Sequence, residues 1–459
     1  MGFIPLGALA PVLGRMDLQG AKVLVVGMKR SGMAAISLLA SQGAILRATD
    51  LQTLSALPEA RDLLDRLGVP FEKQSPAVFE GCDAIVLSPD VPADLPSLVE
   101  ARGRGVAVLG DLELAAPFLR GKTIGVTGSN GKTTTTSLIG HILRTAKVPV
   151  QVGGNIGTPV SAMVESSRRG QWNVLELSSF QLETIQTFRA HVGVALNVTQ
   201  NHLDRHHTFE QYAAAKGRLF ETQRAGDMAV LNNDDPTTAS YAARGPATVR
   251  WFSLLRRFSP GASLAGNEIL LDGRPLLNIK DIPIRGRHNV QNVMAAAIAS
   301  ARAGVSRESI TAGVLTFRAV EHRLEFVRSI RGVDFYNDSK ATSVDATLKA
   351  LDAFPGGLWV ILGGKDKGLD FGPLRAPLTQ KARGAMLIGA AAQKIASQLD
   401  GAVPLVQSRT LEAALEYAWG RAVSGDTILL APACASFDQF KSFEHRGEVF
   451  KELVNGLKD

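Results

Sequence analysis

Three α/β domains, each on a mostly parallel sheet, are what the sequence predicts, and three observations carry that reading. The chain has 459 residues, about three times the ~150 residues of a common domain. Short apolar, β-branched runs alternate along it with helix-like stretches, the pattern of βαβ units. Hydrophobic residues make up 45% of the chain, with 45 Gly and 21 Pro; this is ordinary globular usage and excludes collagen-like, low-complexity and largely disordered chains.

The elements follow in order. The opening MGFIPLGALAPVLGRMDLQG is apolar without a basic stretch ahead of Arg15, so a loose leader, or a start at Met16, is expected rather than a secretory signal. Leu6 stands where a myristoylation motif needs Ser or Thr. From Lys22, the runs KVLVVG, ILRATD, AIVLSP and VAVLG read as strands, with SGMAAISLLASQG and ARDLLDRLG as helices between them. LELAAPFLRG reads as a connector to a second region whose strands are TIGVTG, VLELSS, GVALNV and MAVLN. The helical NVQNVMAAAIASARAG and TAGVLTFRAV close that region, and DFYND, LWVILGG, AMLIG and DTILLAP make a third. The expected domains are 1–113, 114–319 and 320–459.

No apolar run approaches the ~20 residues of a membrane span. Cys82 and Cys434 lie far apart without metal-ligand spacing, which argues against a disulfide framework or a zinc site and for a reducing cytoplasm. The net charge of +7 comes from scattered Lys and Arg, with no run longer than two. Phosphorylated small molecules are therefore the expected partners, rather than nucleic acid or a membrane.

The strongest chemical signal is TIGVTGSNGKTTTT, Thr123 to Thr136. A strand runs into a Gly-rich loop and then into a helix, so backbone N–H groups and the helix N-terminus face an anion, Lys132 can reach terminal phosphates and the Thr133 hydroxyl can ligate Mg²⁺. Val126 stands where the strict P-loop pattern has Gly, so the loop is the shorter TGSNGKT form. The loop Gly27-Met28-Lys29-Arg30-Ser31-Gly32 lacks GxGxxG spacing; with Asp50 ending the next strand it reads equally as a nucleoside-binding crevice or as a plain turn. Glu176 is a carboxylate inside an apolar strand, a position that needs a partner, and Mg²⁺ shared with phosphates is the favoured one.

Polar residues crowd the stretch Asn197 to Thr208 directly after a strand, as in a site loop. Thr208 with Gln211 makes a capping box for the next helix, on which Lys216 falls on the apolar stripe of Phe209, Tyr212, Ala213 and Phe220. A lysine there must snorkel, pair with Asp204 or Glu221, or be chemically altered. In the third region, polar clusters at 337–342, 363–367 and 433–440 each follow a strand, so they are expected to converge on one crevice.

TGSNGKT, Gly153-Gly154-Asn155-Ile156-Gly157, ELSS at 176–179, NHLDRH at 201–206, Lys216, GRHN at 286–289, EHRLE at 321–325 and NDSKAT occur in the order of the Mur ligase family, which residues 20–455 resemble. The resemblance implies a Rossmann-like N-terminal domain for a UDP-substrate, a central P-loop-type ATPase domain and a Rossmann-like C-terminal domain for an amino acid. GGKDKG and APACASFDQFKSFEHRG resemble the members that add D-glutamate to UDP-N-acetylmuramoyl-L-alanine, and the Asp-Asn-Pro-Arg motif of the diaminopimelate- or lysine-adding members is lacking.

What the resemblance implies for single residues is as follows. ATP meets Gly128, Ser129, Asn130, Gly131, Lys132, Thr133 and Thr134, with Asn289, Arg323, Asp338 and Lys340 addressing the nucleotide. Two Mg²⁺ ions are held by Thr133, Glu176, His202 and Lys216, the last as a carbamate formed with CO₂; Lys132, His202 and Lys216 are the catalytic set. Ser31, Gly32, Asp50, Ser88, Pro89, Asn155 and His202 meet the UDP-substrate, and Thr342, Lys367, Ser436, Phe437 and Phe443 meet D-glutamate. A monomer is expected. Departures from the family pattern gather in the first domain: Lys29 and Asp90 each replace a Gly, and Leu51-Gln52 replace Thr-Arg. The rivals are an alanine-adding ligase, a folylpolyglutamate synthetase, and an ATP-driven switch that needs no acceptor pocket.

Overall fold

A computed structural model describes residues 18–318 and 320–458. The leader expected before Leu18 and the domain boundary expected at 319 lie outside the described residues. The first sheet joins β1 (Lys22–Val26), β2 (Ile45–Asp50), β3 (Phe71–Lys73), β4 (Ala84–Leu87) and β5 (Ala107–Gly110) in the order β3-β2-β1-β4-β5, all parallel. Val23–Val26 are at most 2% exposed, and burying each such side chain contributes about 1.5–3 kcal/mol. Strand order reverses at β1, with β2 on one side and β4 on the other, so the loops after β1 and β4 part around a crevice. The helix Arg30–Ser41 starts there, pressed so close that a Cβ on Gly32 would fall 1.8 Å from the carbonyl oxygen of Gly27.

The second sheet holds β6 (Lys122–Thr127), β7 (Val150–Gly154), β8 (Trp172–Glu176), β9 (Val192–Ala195), β10 (Met228–Asn232), β11 (Thr248–Ser253), β12 (Gly261–Ala265), β13 (Glu268–Leu271) and β14 (Arg274–Asn278). Its order is β14-β13-β12-β11-β10-β9-β6-β8-β7. All pairings are parallel up to β12; β13 and β14 add an antiparallel meander that the sequence reading passed over. Its signal was Asp272-Gly273, the two-residue turn between β13 and β14, with φ of +50° and +76°. Because β6 lies between β8 and β9, the loops after all three strands meet at one edge.

The expected connector is a helix, Asp111–Ala115, followed by a single 3₁₀ turn. The Glu113 carboxylate on it accepts the N–H groups of Gln186, Thr187 and Phe188 at 2.7–3.0 Å. One apolar core runs from Leu18 to Tyr241 through both sheets' helices. The chain up to Asn278, with Gln291–Gly313, is accordingly one compact unit, and Ile279–Val290 with Val314–Asp459 is the other.

In the second unit, β15 (Glu325–Ile330), β16 (Val333–Asn337), β17 (Leu358–Gly363), β18 (Ala382–Ile388), β19 (Leu405–Arg409) and β20 (Thr427–Leu430) take the order β15-β16-β20-β17-β18-β19, parallel except for β15. The helix read through TAGVLTFRAV stops at Thr316. Among the described residues no helix is long and apolar enough to cross a membrane.

Candidate active site

The loop after β6 carries the site. Gly128 and Gly131 take φ of +148° and +83°, and Gly131 caps the helix Lys132–Thr145, whose first turn contains no acid. A Cβ at Gly131 would fall 2.4 Å from Asn292 Oδ1, so both the left-handed backbone and the space demand glycine. The Ser129 N–H donates to Asn197 O at 2.8 Å, the Asn130 N–H to Asn197 Oδ1 at 2.9 Å, and Ser129 Oγ shares a 3.0 Å hydrogen bond with Tyr212 Oη. Thr133 and Thr134 are buried in the first helical turn. A clamped loop at a helix N-terminus is a ready anion site.

Two lysines converge on it. Lys132 Nζ donates to the carbonyls of Gly128 and Ser129, each at 2.9 Å, and Lys216 Nζ donates to Gly128 O at 2.9 Å. Lys216 does not snorkel: it is 1% exposed, with its amine 4.6 Å from the Tyr212 ring centre. Glu221 is engaged by Arg244 at 2.6 Å. Burial first, then the neighbouring Lys132 cation, push the Lys216 amine well below the usual lysine range, against the pull of Glu176. Glu176 itself is 2% exposed; its Oε1 accepts from Asn155 Nδ2 at 2.9 Å, while Oε2 is buried without a hydrogen-bond partner. One carboxylate, a Thr hydroxyl and substrate phosphates form the donor set Mg²⁺ favours. The residues present therefore fit a magnesium site, although among the described residues no three His, Cys, Asp or Glu gather as one. His202 is exposed at φ +53°, its ring 5.0 Å from Phe180 and 6.2 Å from Tyr212. Thr208 caps the Lys216 helix through the Gln211 N–H; the reciprocal capping box is instead at Ser178 and Gln181.

Beside this loop the crevice of the first sheet opens as a cavity of about 500 Å³. Ser31, Ser88, Pro89 and Asn155 line it; Gly32, Asp50 and His202 do not. Asp50 works behind the wall, its Oδ2 accepting the Met28 N–H at 2.7 Å and its Oδ1 that of Gln52 at 2.9 Å. Lys29 and Asp90, the two departures from glycine noted in the sequence, meet across the mouth in a 2.8 Å ion pair.

In the second unit the three polar clusters do converge. Gly363 N–H donates to Pro432 O, Lys365 N–H to Ala435 O and Ala433 N–H to Ala341 O, at 2.8–2.9 Å, because β16, β20 and β17 are neighbours. Arg446, fully buried, donates to Ser339 Oγ and to the carbonyls of Ser339, Ala435 and Cys434, tying two of these loops together. Asp338 is 8% exposed, and burial pushes its carboxyl up to about 7 despite the Arg323 guanidinium. The amine of Lys340 stands 5.1 Å from the ring centre of Phe443. Asn289 is buried, its Nδ2 donating to Arg285 O at 2.6 Å. Ser436 is buried, Thr342 half-buried, and Lys367 and Phe437 exposed.

Comparison with known proteins gives this arrangement its family. Residues 126–300 match the model of the Mur ligase middle domain, 322–434 that of the Mur ligase glutamate ligase domain, and 21–110 that of the Mur ligase MurD-like N-terminal domain. The chain belongs to the Mur ligase family. A UDP-N-acetylmuramoylalanine–D-glutamate ligase of Solibacter usitatus is 69% identical over 96% of this chain and 99% of its own, and one of Acidobacterium capsulatum is 50% identical over 96% and 97%. Among solved structures, a UDP-N-acetylmuramate-alanine ligase of Thermotoga maritima superposes with a TM-score of 0.61 at 19% identity, covering 95% of this chain and all of that one. The MurF ligase of the same organism, in complex with ADP, gives 0.59 at 18% over 86% and 92%. These two share the three-domain α/β fold.

Sequence reasoning on this Mur ligase put Asn197 and Thr199 in a site loop and Tyr212 on an apolar stripe, but missed that they hold other residues in place. Asn197, Thr199 and Tyr212 clamp the phosphate loop, and the signal for Tyr212 was a hydroxyl on an otherwise apolar stripe. Arg446 was readable as a charge whose helix neighbours Gly447 and Phe450 are buried. Glu113 had no local signal, because its partners lie more than 70 residues away.

Proposed function

We propose that this chain is an ATP-dependent acid–D-amino-acid ligase that joins D-glutamate to UDP-N-acetylmuramoyl-L-alanine, a cytoplasmic step of peptidoglycan precursor synthesis carried out by a monomer with domains near 1–113, 114–319 and 320–459. The meeting of Lys132 and Lys216 on one loop carbonyl, next to the unpartnered oxygen of Glu176, is the observation that carries the reading. A lysine cation at an anion-binding loop, beside a buried carboxylate and a second lysine with lowered proton affinity, suits the transfer of a phosphoryl group. The names of the relatives support the choice of substrates.

The substrate carboxylate attacks the γ-phosphorus of ATP, ADP leaves, and an acyl phosphate forms. Lys132 turns from its loop carbonyls to the transferred group and neutralises its charge. The amine of D-glutamate then attacks the acyl carbon, the C–O bond to phosphate breaks, and an amide results. Thr133, Glu176 and His202, with Lys216 as a carbamate, hold Mg²⁺, which supplies further neutralisation of phosphate charge when bound. The lowered proton affinity of Lys216 favours the free amine, the form that adds to CO₂ with loss of a proton. Asn155, Ser31, Ser88 and Pro89 receive the UDP-substrate. Lys367 and Ser436 suit the side-chain carboxylate of glutamate, Phe443 and Phe437 its aliphatic stem, and Thr342 lies in the same loop cluster. Asn289, Arg323, Asp338 and Lys340 address the nucleotide.

Phosphate release measured with each substrate omitted in turn is the test. Release that requires both the UDP-substrate and D-glutamate is the expected outcome; turnover without an acceptor, or preference for a neutral or basic amino acid, defeats the assignment.

A further inference from the structure

A second cavity of about 490 Å³ lies within the first unit, away from the phosphate loop, and no step of the ligase reaction uses it. Arg102 comes from the helix Pro96–Gly103, Arg205, His206 and His207 from the turn that begins at His202, and Arg218 from the helix that carries Lys216. Asp94 and Glu183 are the acids of its lining. Both are taken: Glu183 is ion-paired with Arg205 and lies 3.8 Å from His206, and Asp94 lies 3.3 Å from His207.

Arg102 feels the charges of Glu183 and Asp94 at longer range, but among the described residues neither it nor Arg218 is bonded to an acid. Arg102 donates to Ala93 O at 2.6 Å and Arg218 to Ile185 O, both main-chain carbonyls. Among the described residues neither forms an ion pair, and Arg218 Nε is buried with no acceptor. Two guanidinium groups lining one cavity, each with N–H groups beyond those on its main-chain carbonyl, match an oxyanion that accepts charge-assisted hydrogen bonds.

We propose that this cavity is a second binding site, for the phosphate or carboxylate group of a small anion. Its wall is the turn 202–207, bounded by two non-glycine residues in the left-handed region, His202 at φ +53° and His207 at +63°. Arg205 also reaches the carbonyls of Asp90 and Val91 at the mouth of the first crevice. An anion held by Arg102 and Arg218 braces that turn, and with it the position of His202.

The test titrates inorganic phosphate, and separately succinate, into the full chain at constant ionic strength, reading phosphate by ³¹P line broadening and both anions by calorimetry. Lys132→Ala removes the cation of the phosphate loop. Arg102→Ala acts at an exposed rim position, where folding is not at stake, and Arg218→Lys keeps charge and stem but not the fork. Binding that persists in Lys132→Ala and weakens about tenfold in Arg102→Ala and Arg218→Lys, the scale of one charge-assisted hydrogen bond, is the expected result. That pattern with succinate alone supports the site and makes its ligand a carboxylate. Binding that vanishes in Lys132→Ala and is untouched in Arg102→Ala, or no binding of either anion, overturns the proposal.

Discussion

The loop after β6 and the loop after β1 stand at equivalent places, each at the carboxyl end of a buried parallel strand and each opening a helix, yet they are held in opposite ways. Around β6 the holding groups are half-buried or buried: half-buried Asn197 and Thr199 and buried Tyr212 fix Ser129 and Asn130, and half-buried Lys132 and buried Lys216 both reach the Gly128 carbonyl. Around β1 no holding group is fully buried: half-buried Asp50 accepts from the Met28 N–H, and the Lys29–Asp90 pair is exposed. A low-dielectric surrounding makes each polar contact of the first loop count and each unpaired charge costly. The second loop keeps weak, screened contacts that can yield to a substrate. The difference teaches that one scaffold gives a rigid chemical site and a more yielding recognition site, according to where its polar partners are buried.

The comparison breaks first at Lys132. Lys132→Ala should lower kcat by about 10²-fold or more, the scale of removing a preorganised donor to a developing charge. Near-normal kcat in a folded variant would show that the clamped loop does not serve the transferred group.

Next in size is the pH response of Lys216. Its proton affinity in the folded chain lies well below that of an unfolded lysine, so between the depressed value and about 10.4 the unfolded state binds more protons and stability rises with pH. In CO₂-free buffer, Lys216→Met should be more stable than wild type near pH 7, and the gap in Tm should close as pH rises toward 10. A gap indifferent to pH would mean that burial does not tax the ammonium. Bicarbonate should restore catalysis to CO₂-stripped wild type and not to Lys216→Met.

How legible each loop was follows from where its partners sit in the chain. Glycines, lysine and threonines of the β6 loop are consecutive, so their chemistry could be read as a motif, and Glu176 betrayed itself as a carboxylate inside an apolar strand. The strands around them were readable for the same reason, since β-branched runs such as Ile124–Val126 are local. By contrast Lys29 and Asp90 are 61 residues apart, and each alone looked like a loss of glycine. Asp50 was found by its place at a strand end, but its service to the Met28 N–H depends on loop geometry that spacing does not encode. Buried organisers such as Arg446 and Glu113 act across sequence distances that only the packed sheets close.

A moderate effect is expected at Asp50. Asp50→Ala leaves the Met28 and Gln52 N–H groups without their acceptor, a loss of about 1–2 kcal/mol in loop order. KM for the UDP-substrate should rise about tenfold on that scale, with kcat and KM for ATP little changed. An equal fall in kcat would place Asp50 in the rigid class of the β6 loop.

The smallest effect should come from the pair that closes the first crevice. Lys29 and Asp90 are both more than 60% exposed, and exposed ion pairs couple by less than about 1 kcal/mol, a factor below about five in affinity. A double-mutant cycle of Lys29→Ala and Asp90→Ala, read as KM for the UDP-substrate, isolates that coupling from the loss of either charge alone. If the pair merely replaces the two glycines of the family pattern, the coupling stays under that ceiling and fades between low salt and 0.5 M salt, because the screening length shrinks well below 10 Å. A latch over the cavity behaves otherwise. Breaking it would lower KM in both single variants, the double variant would gain nothing more, and the gain would persist in salt. Such a result would move the β1 loop from a yielding rim to a gated one.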